Sequence, residues 1–257
     1  MRSSAGTART ILAPVLLGIA LLAVWQLVIV AFDVKPFIVP GPVAIGGEFG
    51  KNISTVLAGA AVTGWNALVG LVVGAVVGIL FAVLAALVRV VDELSAAVVS
   101  AVAVVPIVAL APVLYSMFGA GAETARQLVA AIAVFIPVYI NTLRGLRQVR
   151  PVHRDLLHVY AASAWQTSRT VTIPGALPFI FTGLRIASSL AVISALIAEY
   201  FGGPVGGLGK SITTAASGSN YSLAWAYVLG AIIVGLVFYS VTLGIERIAT
   251  RHYKPAT

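Results

Sequence analysis

Few residues in this chain could do chemistry. His153, His158 and His252 are the only histidines, and there is no cysteine. No H-E-x-x-H zinc helix and no G-x-S-x-G nucleophile turn occurs. His153 and His158 stand five apart among basic neighbours, which suits solvated or contact residues better than a metal pair. Gly209-Lys210-Ser211 mimics the end of a phosphate-binding loop. That motif needs glycine five residues before Gly209, and Pro204 stands there. No catalytic, cofactor-binding or metal-binding residue is therefore assigned. Gly202, Gly203, Gly206, Gly207 and Gly209 are expected to form a flexible turn instead.

Two charges do interrupt an apolar tract. Arg185 and Glu199 are 14 positions apart, about 21 Å along a helix, so each can reach an interface. The expectation is that Arg185 extends to the inner headgroups and Glu199 to the outer side. The competing reading makes Glu199 part of an outer gate. Asn66 and Asn141 are polar but carry no proton, so an ion-coupled carrier lacks the mid-membrane charge it usually needs.

The elements that must position these residues follow from composition. Of 257 residues, 60% are hydrophobic and 9% charged, against about 25% charged in soluble domains. Such a chain cannot coat a globular surface, which leaves an all-α integral membrane protein. The net charge of +8 is spread among long uncharged tracts, with no compact aromatic-laced patch for nucleic acid. Apolar runs are continuous rather than alternating, which argues against a barrel of strands.

Gaps between charges predict six helices, near 11–32, 64–88, 95–118, 126–144, 179–201 and 223–246, in one transmembrane domain over 1–257. The tract before residue 64 is longer than one span needs. It is expected to begin with an interfacial helix containing Ser54, Thr55 and Thr63. The first tract is too long for a signal peptide core and has no A-x-A site, so it reads as a retained span. With the N-terminus inside, the inner segments hold Arg2, Arg9, Arg89, Arg144, Arg147, Arg150, Arg154, Arg169, Arg247, Arg251 and Lys254. The outer loops hold Lys35, Lys51, Arg126 and Lys210. Eleven against four places both termini in the cytoplasm of a multi-pass cell-membrane protein.

Gly64, Gly70, Gly74 and Gly78 let the second span pack closely inside one bundle. Pro106, Pro112 and Pro137 fall inside spans three and four, where each frees a carbonyl. Freed carbonyls suit a watery route, so these prolines, Asn141 near the inner end, and Glu199 are the pathway candidates.

The loop 145–178 is the longest inner connection and the most basic. Leu157, Tyr160, Ala161, Ala164 and Trp165 recur at helical spacing, predicting a short amphipathic helix over 153–166. Its stripe is narrow and includes two alanines, which favours entry into a protein groove over lying on lipid.

These residues resemble a known family. Asp155-Leu156-Leu157, Ala161 and Val171-x-Ile173-Pro174 follow, without gaps, the E-A-A-x3-G-x9-I-x-L-P loop of ABC importer permeases. Pro174 to Pro178, Thr182 to Ala187, Ala198 to Gly203, Gly207-Leu-Gly209 and Phe37 to Pro42 look like the same family. The likeness covers nearly the whole chain and is closest to the nitrate, sulfonate and taurine branch, which includes pyrimidine-precursor and riboflavin systems. Asp replaces Glu at 155, Leu-Leu replaces Ala-Ala at 156–157, and Ala replaces Gly at 161. Ala161 makes a continuous helix the expectation.

The resemblance implies a type I importer permease that works as two copies. A separate cytoplasmic ABC ATPase holds ATP and Mg²⁺, and an extracytoplasmic binding protein delivers a small solute. This chain would carry no cofactor and would not be an enzyme. Asp155, Leu156, Leu157, Tyr160, Ala161, Ala164, Trp165, Ile173 and Pro174 would couple it to the ATPase. The alternative is a secondary carrier or channel with no ATPase. No span except the fifth offers a cation, which leans the solute toward a neutral or aromatic heterocycle.

Overall fold

The computed structural model describes residues 4–149, 151–202 and 206–251, and every element in them is helical. Arg2, Arg150, Gly203, Pro204, His252 and Lys254 lie outside the described residues, as do the side chains of Arg154 and His158. Among the described residues, five helical runs are long and apolar enough to cross a membrane, and six if one sharply bent pair counts as a span.

Helix α1 (Ser4–Ala31) stands at the edge. It meets the rest through Trp25, edge-on to Trp225 at 5.9 Å, and through Gln26, whose Oε1 accepts from the Val43 N–H at 3.1 Å. Helix α2 (Pro42–Lys51) follows, with proline in its first turn, where a missing N–H costs nothing. Helix α3 (Ile53–Leu87) then runs 35 residues unbroken. The separate interfacial helix expected around Ser54, Thr55 and Thr63 does not exist. The segment contains no proline, and its one glycine, Gly59, packs against Leu208, so nothing ends the helix early.

The third span is corrected too. In place of one helix over 95–118, α4 (Arg89–Val104) and α5 (Ile107–Phe118) meet at a 93° bend. Pro106 cannot donate, and it forces Val105 into an extended conformation (ψ 122). Helix α6 (Glu123–Arg147) returns through the bundle. Then come α7 (Pro151–Val159), α8 (Ala164–Thr167), a π turn (Ser168–Thr172), α9 (Ile173–Phe201), α10 (Leu208–Ser217) and α11 (Tyr221–Thr250).

Helix α6 is the axis of the molecule, packed along α3 on one side and α9 on the other. Both seams are made of small residues. A Cβ on Gly70 would come within 3.0 Å of the Gln127 carbonyl on α6, and one on Gly78 within 3.1 Å of the Phe135 carbonyl. Gly183 and Gly145 do the same between α6 and α9. Gly64 faces open space and takes no part. The core between the helices is rich in Ala67, Ala130, Ala187, Ala191 and Ala195, while Leu80, Leu236 and Ile232 point outward. Large side chains face lipid because lipid is as apolar as they are, and small ones face protein because close approach is what holds membrane helices together.

Arg185 has a protein partner. It pairs with Glu246 of α11 at 3.1 Å, tying α9 to α11.

Candidate functional site

Two places in this bundle collect polar or unpartnered groups, one at each end. At the α10 end, Glu199 is 1% exposed, which corrects the expectation that it reaches an interface. Its carboxylate accepts from Thr63 Oγ1 at 2.7 Å, from the Gly209 N–H at 3.1 Å and from Asn66 Nδ2 at 3.4 Å. Thr63 accepts in turn from the Leu208 N–H at 2.9 Å, and Gln127 donates to Asn66 at 3.4 Å. Thr63 and Asn66 sit three apart on α3, one helical face, which is why both reach the same carboxylate.

Arg126 belongs to this cluster and was misplaced by its sequence position. Counted among the outer-loop cations, it lies in the first turn of α6, fully buried. It donates to the Gly206 carbonyl at 3.2 Å, and its charge attracts Glu199; among the described residues Nε and Nη2 have no hydrogen-bond partner. The fourth span therefore also carries a cation. The only advance signals were the Thr63/Asn66 spacing and the G-L-G of 207–209.

Gly207 and Gly209 are packed in place rather than part of a flexible turn; Gly203 lies outside the described residues. Gly207 sits at φ +138, a conformation closed to residues with a Cβ, and a Cβ on Gly209 would stand 2.8 Å from Glu199 Cβ. Both glycines bring α10 directly onto Glu199. Leu208 is fully buried between them in a cluster with Val56 and Tyr227.

At the opposite end, the predicted helix over 153–166 is broken. Helix α7 stops at Val159, and Ala161 adopts φ +53, the left-handed turn usually left to glycine. Alanine there preserves the turn instead of continuing the helix. Two neighbours hold it: the Ala162 N–H donates to Leu157 O at 3.0 Å, and Ser163 caps α8 reciprocally with Gln166. Leu156, Leu157, Val171 and Pro174 share a cavity of about 490 Å³ beneath α7, lined also by Gly145 at the end of α6. Val159, Tyr160 and Trp165 are 83, 76 and 69% exposed. Asp155, Ala161, Ala164 and Ile173 are exposed beside them. The structure thus brings the loop residues together, but on two short helices around a turn.

The pathway candidates do not form one group. Pro106 and Pro112 lie exposed at and beyond the α4–α5 bend. Pro137 and Asn141 face α9 at Gly183, and Asn141 Nδ2 donates back to the Pro137 carbonyl at 2.8 Å. Glu199 belongs to the other end.

A bundle of broken and full spans, with a polar cluster at one end and an exposed apolar loop at the other, is a multi-pass membrane protein. The chain belongs to the family of binding-protein-dependent transport system inner membrane components, whose model matches residues 70–254. It is 34% identical over 233 residues to the riboflavin transport system permease protein RibX of Chloroflexus aurantiacus, covering 90% of this chain and 86% of that one. It is 32% identical over 148 residues to the taurine transport system permease protein TauC of Escherichia coli, covering 57% and 52%. It is 33% identical over 104 residues to the bicarbonate transport system permease protein CmpB of Synechococcus elongatus, covering 39% and 37%. A crystal structure of an amino acid ABC transporter with histidines has the same fold, with a TM-score of 0.58 at 16% identity, covering 79% of this chain and 94% of that one.

Proposed function

We propose that this chain is the permease subunit of an ATP-driven importer. It receives a small solute from an extracytoplasmic binding protein, works as two copies, and is driven by a separate ABC ATPase that holds ATP and Mg²⁺. The observation that carries this reading is the α7–α8 loop. Val159, Tyr160 and Trp165 are exposed outside the lipid-facing spans, on an element fixed by a left-handed turn and a capping box. A rigid apolar projection of this kind fits a groove on a partner. Asp155 and Ile173 border it, Ala161 and Ala164 shape it, and Leu156, Leu157 and Pro174 seat it on α6 and α9.

In this reading the α7 end is cytoplasmic and the α10 end faces out. ATP closes the ATPase pair, α7 and α8 move with it, and α6 and α9 pass the displacement to the Glu199 cluster. The cluster holds α10 down in the closed state and releases it when the outer side opens. ATP does work because each nucleotide state favours a different membrane state. Pro106 supplies a hinge between α4 and α5, while Pro137 and Asn141 lie at the separate α6–α9 seam.

A buried glutamate could instead carry a coupling proton in a secondary carrier. Three donors from α3 and α10 already occupy this carboxylate, which favours a structural role. Uptake in vesicles lacking any ATPase would reverse that preference.

The test of the proposal is a Tyr160→Ala/Trp165→Ala double variant. Losing two exposed aromatic anchors costs an interface about 2–4 kcal/mol. Co-purification with the ATPase should fall at least about thirtyfold in affinity, with solute-stimulated ATP hydrolysis lost and gel-filtration behaviour unchanged. Full retention of both would show that the loop is not the coupling element.

A further inference from the structure

An open cavity of about 710 Å³ lies between the start of α4 and the last turns of α6. Asp92 and Ser100 line one wall, and Tyr139, Arg144, Arg147 and Gln148 line the other. Its floor is apolar, made by Val99, Ile140 and Leu143. The Tyr139 wall is fixed: its hydroxyl hydrogen-bonds Ser95 Oγ at 2.5 Å, and its ring stacks on Phe135 at 5.7 Å.

The charges are unequal. Arg147 is ion-paired to Asp92 across the cavity. Arg144 makes no ion pair among the described residues, so the cavity holds one uncompensated cation. The α6 C-terminus carries only about half an opposing charge. A cationic solute is repelled here. A neutral one leaves Arg144 unused, and a small inorganic anion leaves the apolar floor wet. An anionic head on an apolar body satisfies both surfaces. We propose that this cavity binds a small organic anion, with Arg144 as the ion-pairing residue and Arg147, pinned by Asp92, as the second donor.

The site abuts the coupling loop. Gln148 also lines the 490 Å³ cavity beneath α7, beside Leu156, Leu157 and Pro174. An anion in the first cavity therefore shares a wall residue with the seat of α7. That the anion is the imported solute rests on the importer reading; the anion preference of the cavity does not. An anionic phospholipid headgroup offers the same chemistry.

The chain has no cysteine, so Ser100→Cys places a single thiol in the cavity. The purified protein in phosphatidylcholine nanodiscs is labelled with 2-sulfonatoethyl methanethiosulfonate, an organic anion, and with its trimethylammonium counterpart. Ser217→Cys at the far end, exposed on α10, is the reference. The anion-to-cation rate ratio should be about five- to tenfold higher at Ser100→Cys than at the reference. Arg144→Gln should remove most of that excess and Arg144→Lys should keep it. Millimolar ethanesulfonate should slow labelling only while Arg144 is present. Equal ratios at the two positions, or a ratio untouched by Arg144→Gln, would overturn the proposal.

Competition by ethanesulfonate in both phosphatidylcholine and phosphatidylserine nanodiscs assigns the site to a soluble anion. Loss of the preference in phosphatidylserine, without competition by ethanesulfonate in phosphatidylcholine, assigns it to a headgroup. A preference that survives while the ATPase fails to bind the wild-type chain removes the importer reading and leaves the site. A lost preference with intact ATPase binding removes the site alone.

Discussion

Glu199 shows how much one side chain depends on where it ends up. It is surrounded by donors from three elements: Thr63 and Asn66 of α3, and the Gly209 N–H of α10. Removing the carboxylate strands those donors and leaves Arg126 buried without an opposing charge. Glu199→Leu should cost about 3–5 kcal/mol, because it leaves the buried donors of Thr63, Asn66 and Gly209 without an acceptor. Glu199→Gln keeps one acceptor oxygen and should cost less, about 1–3 kcal/mol. Denaturant titration in detergent, followed by tryptophan fluorescence, gives the order. Equal stability of Glu199→Leu and wild type would refute a structural role for the cluster. Ala161 is the second residue-scale case. An alanine at φ +53 bears about 1–2 kcal/mol of left-handed strain. Ala161→Gly should relieve up to about 1 kcal/mol of it and slow limited proteolysis of the loop, whereas the β-branched Ala161→Val should speed it. Faster cleavage of Ala161→Gly would mean that alanine's lower chain entropy outweighs the strain.

Among elements, the α3–α6 seam is the least forgiving. Gly74 faces Val134, whose Cβ would lie 2.8 Å from a new Cβ. Gly74→Val therefore has to push two membrane helices apart. Overpacking costs about 1–3 kcal/mol, and the loss of close contact along the seam adds to it. Gly64→Val, on the same helix but facing open space, should cost under about 0.5 kcal/mol. Thermal unfolding of both variants in one detergent tests the contrast, and similar losses would show that the seam is not tight. The α4–α5 bend is the other element-scale feature. Its cause is local, a proline with an extended residue before it, so it is set before any packing occurs.

At the scale of the whole molecule, the proposed topology puts residues 2–9 and 251–257 in the cytoplasm. With Arg126 moved from the outer loops into the bundle, the basic asymmetry becomes eleven against three, which strengthens the orientation. Single cysteines at Ser3, Ser217 and Thr257 should behave differently toward an impermeant thiol reagent in intact cells. Ser217→Cys should label, and the other two only after the membrane is broken. The reverse pattern would invert the molecule and place the α7–α8 loop out of reach of any cytoplasmic ATPase.

Much of this protein was determined by the sequence alone. Its low charge and long apolar tracts dictate a helical membrane bundle, because lipid tolerates no unpaired backbone. The glycine spacing of α3 dictates a close helix seam. The residues of 155–174 dictate where the loop that resembles a coupling element lies. What tertiary structure alone decided is which side chains meet. Arg126 looked like a loop cation because charge gaps record only where charges stop, and burial depends on partners more than sixty residues away. Glu199 looked free to reach an interface until Thr63, Asn66 and Gly209 arrived from other helices. Ala161 looked helical because propensity is local, whereas its left-handed turn is held by Leu157 on one side and the Ser163–Gln166 cap on the other. Periodicity and composition measure the free energy of facing lipid. Hydrogen bonds between distant segments are paid for only when the bundle closes, so no window of sequence contains them.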